Sequence, residues 1–276
     1  MYLYSNDIGE DGATSIAELL QFNSTIRELD LGSNHLGVKG IRTILGALKF
    51  NCTLTTLELD SNTVGILGAG AISEALESNS TITNLHLSSN GIGMEGVKSI
   101  ADLLEYNTTI STLDLSNNRI GNEGVKILAG SLLYNSTLTA LRINNNHFGL
   151  NGAPAVAKLL KNNASLKSLN IASNYLGPAG ANMIFESLQF NTTLTNFNLG
   201  ANVFGEEGAK SIAKFIKSNT ILTAINIGRN LIGNDGSNAL MEALQFNTTL
   251  TTLILKSNEI DDDGVTSIAK LLTLNS

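Results

Sequence analysis

Several residue sets in this 276-residue chain have types and spacing that could do chemistry. Asn-x-Ser/Thr tripeptides, the acceptors for N-linked sugar, begin at Asn23, Asn51, Asn79, Asn107, Asn135, Asn163, Asn191 and Asn247. The stretch GILGAGA at 65–71 has the glycines of a phosphate-cradling loop, but the Lys-Ser/Thr that such a loop requires does not follow. EIDDDG at 259–264 sets Glu259, Asp261 and Asp263 at calcium-loop spacing, yet Lys270 stands where the bidentate glutamate belongs. The three histidines are His35, His86 and His147, and no His or Cys pair has metal-ligand spacing. Serines recur in one slot (Ser33, Ser61, Ser89, Ser173, Ser257) instead of marking a single special turn, so no nucleophile with its base is recognisable. These patterns predict no catalytic residue, no bound metal and no cofactor.

The candidates recur because the chain does. A tile of 28 residues begins at Ile26, Leu54, Ile82, Ile110, Leu138, Leu166, Leu194, Leu222 and Leu250 without insertion or deletion, and residues 1–25 are a further copy lacking its first positions. Within the tile from Ile110, Leu113-Asp114-Leu115 alternates with period two and predicts a short strand. From Gly124 onward, Val125, Leu128, Ala129 and Leu132 form the apolar stripe of an amphipathic helix. Strands that recur after a helical crossover should pair in parallel with right-handed connections.

Two ladders of asparagine fix the remaining geometry. Asn6, Asn34, Asn62, Asn90, Asn118, Asn146, Asn174, Asn202, Asn230 and Asn258 fill one slot without exception. An amide both donates and accepts, so at a tight bend it can satisfy backbone groups of two coils, which a carboxylate cannot. The second ladder, Asn23 to Asn275, lies just past each helix, where asparagine is expected in the left-handed conformation that ends helices. Ten glycines from Gly12 to Gly264 are expected to supply positive φ or close backbone approach where each helix begins.

The run LTTLILKSNEIDDDGVTSIAKLLTLN and its copies resemble the leucine-rich repeat pattern L-x-x-L-x-L-x-x-N-x-L, in the 28-residue subtype of ribonuclease inhibitors. The added N-x-T-L between tiles and IGxxG after the asparagine look like the repeats of NOD-like receptors. The resemblance implies an α/β solenoid of ten strand-turn-helix repeats. Parallel strands sit ~4.8 Å apart while packed helices need ~8–10 Å. The stack should therefore bend into a horseshoe with a concave parallel sheet and convex helices. The sequence reading makes residues 1–276 one such solenoid domain, a piece of a longer protein.

A strict repeat leaves the concave face as the place for individuality. The slot between the two strand aliphatics carries Asp30, Glu58, His86, Asp114, Arg142, Asn170, Asn198 and Asn226, and the slot two residues on adds Asp60 and Asn144. These residues are expected to bind a protein partner, the first run by charge and the asparagine run by hydrogen bonds. Net charge is −7, and it is uneven: residues 1–138 hold 15 Asp/Glu against 7 Lys/Arg, residues 139–276 hold 9 against 10. That balance excludes nucleic acid as the main partner. No stretch is long and apolar enough for a membrane span, no export signal is visible, and a lone Cys52 fits a reducing compartment, so a cytoplasmic location is expected. Neither end shows the polar cap a solenoid needs: Leu3, Ile8, Ile16 and Leu20 mark one, Leu255, Ile260, Ile268 and Leu272 the other. Head-to-tail self-association through those ends is the corresponding expectation. The resemblance thus implies a non-enzymatic recognition domain. Similarity to the GTPase-activating protein for Ran gives a regulator of a small GTPase as the alternative, and the tripeptides give a secreted, glycosylated ectodomain.

Overall fold

The computed structural model describes residues 1–274, with side chains throughout except at 267 and 270–274. Lys270 and Leu272 therefore fall outside the described side chains, and Asn275 outside the described residues. The chain forms two compact units, 1–146 and 147–276.

In the first unit, α1 (Gly9–Phe22), β1 (Glu28–Asp30), α2 (Gly37–Ala47), β2 (Thr56–Glu58), α3 (Gly65–Glu77), β3 (Asn84–His86), α4 (Gly93–Tyr106), β4 (Thr112–Asp114), α5 (Gly121–Ser131) and β5 (Ala140–Arg142) alternate. The second holds α6 (Gly149–Asn162), β6 (Ser168–Asn170), α7 (Gly177–Leu188), β7 (Asn196–Asn198), α8 (Gly205–Ile216), β8 (Ala224–Asn226), α9 (Gly233–Leu244), β9 (Thr252–Ile254) and α10 (Asp262–Leu274). Within each unit, sequential strands pair in parallel and residues 28 apart are register partners, as in Leu57↔Leu85 and Phe197↔Ile225. Among the described residues nine strands thus alternate with ten helices; in place of a strand the first copy has the bridge Tyr2↔Asp30.

The periodicity that forms these elements also forms the core. Leu113 and Leu115 of the β4 coil and Val125, Leu128 and Leu132 of the α5 coil are all buried, as is Ile120 in the turn between them. The first nine helices begin three residues earlier than the apolar stripe predicted, α5 for example at Gly121 instead of Gly124.

The first asparagine ladder works as expected. Asn62 is fully buried; its Nδ2 donates to the carbonyls of Leu31 (2.8 Å), Leu59 (3.1 Å) and Asp60 (3.2 Å). Its Oδ1 accepts from the N–H groups of Asn34 (3.1 Å) and Leu36 (3.2 Å), one coil back. The second ladder differs from expectation. Asn23, Asn107 and Asn163 sit at the helix ends in extended conformation, with ψ of 125°, 127° and 132°. The side chain does the work there: Asn107 Oδ1 accepts from Thr109 and Ile110 N–H (2.9 and 2.8 Å), and its Nδ2 reaches Leu76 O (3.2 Å) in the coil before.

The glycines also divide differently. Gly124 and its copies are helical, and what they supply is close approach: a Cβ on Gly124 would lie 2.3 Å from Ile120 Cγ2. The left-handed positions fall instead at Gly121 and its equivalents, and at the residues flanking each ladder asparagine, including Ser33, His35, Thr63, Val203 and Leu231.

Candidate functional site

The face of each sheet turned away from the helices carries the nominated residues. In the first unit Asp30, Glu58, His86, Asp114 and Arg142 are successive register partners across β1–β5. In the second, Asn170, Asn198 and Asn226 align across β6–β8. Because successive residues on a strand alternate faces, Asp60 shares the face of Glu58, and Asn144 that of Arg142.

Alignment does not leave these side chains equally available. Asp30 Oδ1 accepts from Gly32 N–H at 2.9 Å, Asp114 Oδ1 from Ser116 N–H at 2.8 Å, and Asn170, Asn198 and Asn226 repeat the bond to the N–H two residues on at 2.9–3.1 Å. Where this slot holds Asp or Asn, the side chain therefore closes the strand exit, so at these five positions the open face is not left wholly to individual use. Asp114 is buried and also pairs with Arg142 at 3.5 Å, while Asn144 Oδ1 accepts from Ser116 Oγ at 2.7 Å.

Glu58 and His86 do something else. Both are half-buried, and among the described residues neither side chain has a hydrogen bond or ion pair. Asp60 beside them uses one oxygen, Oδ1, which accepts from Ser88 N–H at 2.6 Å. Burial pushes the Asp60 carboxyl up to about 6; Asp114 and Glu58 push the same way, while the Ser88 N–H and His86 oppose them. An acid raised above its unfolded value of 3.8 binds its proton more tightly in the folded chain. Stability from this group is therefore highest below pH ~4, falls as pH rises towards ~6, and stays reduced above that. Asp60→Asn keeps the acceptor for Ser88 N–H and removes the charge. It should raise unfolding stability at pH 7.5 by about 1 kcal/mol, a figure discounted for the carboxyl's partial exposure, and leave it unchanged near pH 4. Urea titrations at the two pH values measure the difference, and an equal or opposite effect at both contradicts the assignment.

The remaining sequence candidates sit elsewhere. His35 lies on the surface 3.8 Å from Asp7, and His147 packs beside Tyr175 with ring centroids 6.1 Å apart, so neither joins His86. Asp261 caps α10, its Oδ1 accepting from Asn234 Nδ2, Asp263 N–H and Gly264 N–H, and these bonds hold its carboxyl below the usual range. Most of the sugar-acceptor nitrogens are already donors: Nδ2 of Asn51, Asn107, Asn135, Asn191 and Asn247 each bonds a carbonyl of the preceding coil.

A further row escaped the sequence reading. Phe22, Phe50, Tyr106, Tyr134, Phe190 and Phe246 recur at multiples of 28 just before the second-ladder asparagine, and all are 62–88% exposed. The signal was in the period, since the same slot holds Ser78, Asn162 and Ser218 in other tiles and so has no structural need of a ring.

A leucine-rich repeat model matches eight segments: residues 22–45, 50–73, 78–101, 106–129, 134–157, 162–185, 190–213 and 246–269. The chain belongs to the leucine-rich repeat family. The stretch of this repeat protein between 213 and 246 still forms β8 and α9, and Asn219 Oδ1 still accepts from Ile221 and Leu222 N–H there. No curated protein matches the chain. Among solved structures it is similar to the leucine-rich repeat-containing protein LegL7 from Legionella pneumophila, with 18% identity over 98% of this chain and 97% of that one and a TM-score of 0.64. It is also similar to a chain of the yeast Rad7–Elc1 complex, with 14% identity over 93% of this chain and 75% of that one and a TM-score of 0.50. At such identities the likeness is one of fold. No helix of the described residues is long and apolar enough to cross a membrane.

Proposed function

We propose that this leucine-rich repeat protein is a non-enzymatic recognition scaffold whose open sheet face, from Glu58 to Arg142, docks a protein with a basic contact surface. The observation that carries this reading is the contrast in how side chains are used. Ladder asparagines and the strand-exit Asp and Asn residues are consumed by the backbone, whereas Glu58 and His86 leave their polar atoms facing outward on an acidic strip. Leucine-rich repeat domains commonly bind proteins; the Rad7 structure is of a complex with Elc1, which is consistent with that use of the fold. In this reading residues 1–276 serve as one cytoplasmic recognition domain of a longer protein, and its N-x-T-L and IGxxG elements support a sensor role like that of NOD-like receptors. Regulation of a small GTPase is the alternative from the same fold. The ectodomain alternative is weakened by the acceptor amides already bonded inside the coils. Self-association through the ends has less apolar surface at the first copy than the sequence promised, because Ile16 and Leu20 are buried there.

A second reading rests on the exposed aromatic residues that precede the second-ladder asparagines, since aromatic rings are the residue type that anchors interfaces. Affinity capture separates the two. Glu58→Ala/His86→Ala/Arg142→Ala should lose the partner that the parent holds, while Phe50→Ser/Tyr106→Ser/Tyr134→Ser, which copies the residue found at Ser78 and Ser218, should keep it. The reverse pattern moves recognition to the helix ends, and retention by both variants, each shown to be folded, removes the open-face proposal.

A further inference from the structure

The part of the open face that no backbone group uses has a composition of its own. Glu58 ends β2 and Asp60 follows two residues on, past the strand end; His86 is the register partner of Glu58 on β3. One oxygen of each carboxylate and one imidazole nitrogen lie within 4.8 Å of one another. We infer that Glu58, Asp60 and His86 form a binding site for one divalent transition-metal cation of the zinc class.

Three observations converge on this. First, the donor set is two anionic oxygens and a neutral nitrogen, which suits zinc, cobalt or manganese better than calcium or magnesium, whose sites are built of oxygen alone. Metal–ligand distances of ~2.0–2.2 Å require donors about 3.4 Å apart in a tetrahedral set, a contraction that rotation of the longer Glu58 and His86 side chains can supply.

Second, the negative charge there has no protein cation to balance it. Among the described residues no Lys or Arg pairs with Glu58 or Asp60, and Arg142, further along this face, pairs with Asp114. Third, Ser88 N–H grips Asp60 Oδ1 at 2.6 Å and leaves Oδ2 free. Metal-binding carboxylates are typically oriented by such an outer hydrogen bond. Three protein ligands leave the fourth position to water or to a donor from another molecule. The site does not depend on protein docking at this face, and it differs from an ordinary acidic patch in having a histidine at its centre.

Calorimetric titration of the untagged, chelator-stripped chain with zinc chloride tests the site. The expected result is binding of one equivalent, weakened at least ~10-fold by His86→Gln, Glu58→Gln or Asp60→Asn, with no comparable heat from magnesium or calcium. The ¹⁵N resonances of the His86 imidazole should shift on zinc addition while those of His147 do not. Cys52→Ser, which removes the exposed thiol, should leave the affinity unchanged. Circular dichroism confirms that each variant is folded. Absence of binding at millimolar zinc, equal binding of calcium, loss with Cys52→Ser, or affinity indifferent to His86→Gln would each overturn the assignment.

Discussion

Asn90→Asp should be among the most damaging single-atom exchanges in the chain, lowering unfolding stability by about 3–5 kcal/mol at neutral pH. Asn90 is 1% exposed. Its Nδ2 donates to Leu59 O at 2.9 Å and Ser88 O at 3.2 Å, and its Oδ1 accepts from Asn62 N–H at 2.8 Å and Val64 N–H at 3.3 Å. Aspartate preserves the acceptor half and turns the donor half into an anion facing two carbonyl oxygens with no water to screen it. Asn90→Ala loses both halves and leaves four backbone groups short of a partner, a cost of about 2–4 kcal/mol from several unmade bonds. The two variants separate by pH. A carboxyl destabilised in the folded chain regains its proton as pH falls, so Asn90→Asp should recover part of its loss near pH 4, whereas Asn90→Ala should not. Urea unfolding at pH 7 and pH 4 measures both, and equal pH behaviour would refute the electrostatic account. Since a repeat array is held by nearest-neighbour interfaces, hydrogen exchange should show the loss concentrated in the coils that supply Leu59, Asn62 and Ser88.

Gly124→Ala should destabilise the chain by about 1–3 kcal/mol through overpacking, although alanine is the better helix former by about 1 kcal/mol. The added methyl would meet Ile120 Cγ2 at 2.3 Å and Val97 Cγ1 at 3.1 Å, and both side chains are buried. Ile120 is β-branched and stiff at χ1, so Cγ2 cannot swing aside without leaving its rotamer. The chain contains its own control. At the equivalent Gly40 the residue four earlier is Leu36, whose nearest atom to a new Cβ is 3.3 Å away, with Ala13 at 3.1 Å. Gly40→Ala should therefore cost measurably less than Gly124→Ala, and Ile120→Leu should relieve part of the cost of Gly124→Ala by removing the branch. Thermal or urea unfolding of the three variants is the measurement. Equal costs at Gly40 and Gly124 would mean that helix backbone, and not the branched neighbour, sets the constraint.

Most of the fold is readable in the residues because the tile repeats each signal. Leu113 and Leu115 announce a strand, Val125 to Leu132 a helix, and an unbroken line of asparagines a bend in which donor and acceptor are both needed. What escaped was conformation carried by residues of unremarkable type. Thr63, Val203 and Leu231 adopt positive φ, which their chemistry disfavours. The neighbouring asparagine holds the turn from two coils at once, so tertiary context overrides preference. The candidate site was half legible. Period-two alternation placed Asp30, Glu58, Asp60, His86, Asp114, Arg142, Asn144, Asn170, Asn198 and Asn226 on one face. It could not separate Asp30 and Asp114, which bond to the backbone two residues on, from Glu58, whose extra methylene carries its carboxylate past that N–H. Nor could linear spacing bring His86 to Glu58 and Asp60, because that approach is made by strand pairing between tiles.

The reach of the ladder bonds has a consequence for how such a gene changes length. Asn62 touches carbonyls 31, 3 and 2 residues before it and amides 28 and 26 before it, and Asn90 and Asn118 repeat the offsets of 31, 2, 28 and 26. A deletion of one codon would shift every later offset at that seam, orphaning donors and acceptors on both sides. A duplication or loss of 84 nucleotides, one whole tile, leaves each offset as it was. Heredity can therefore edit this protein in whole coils far more readily than in single residues.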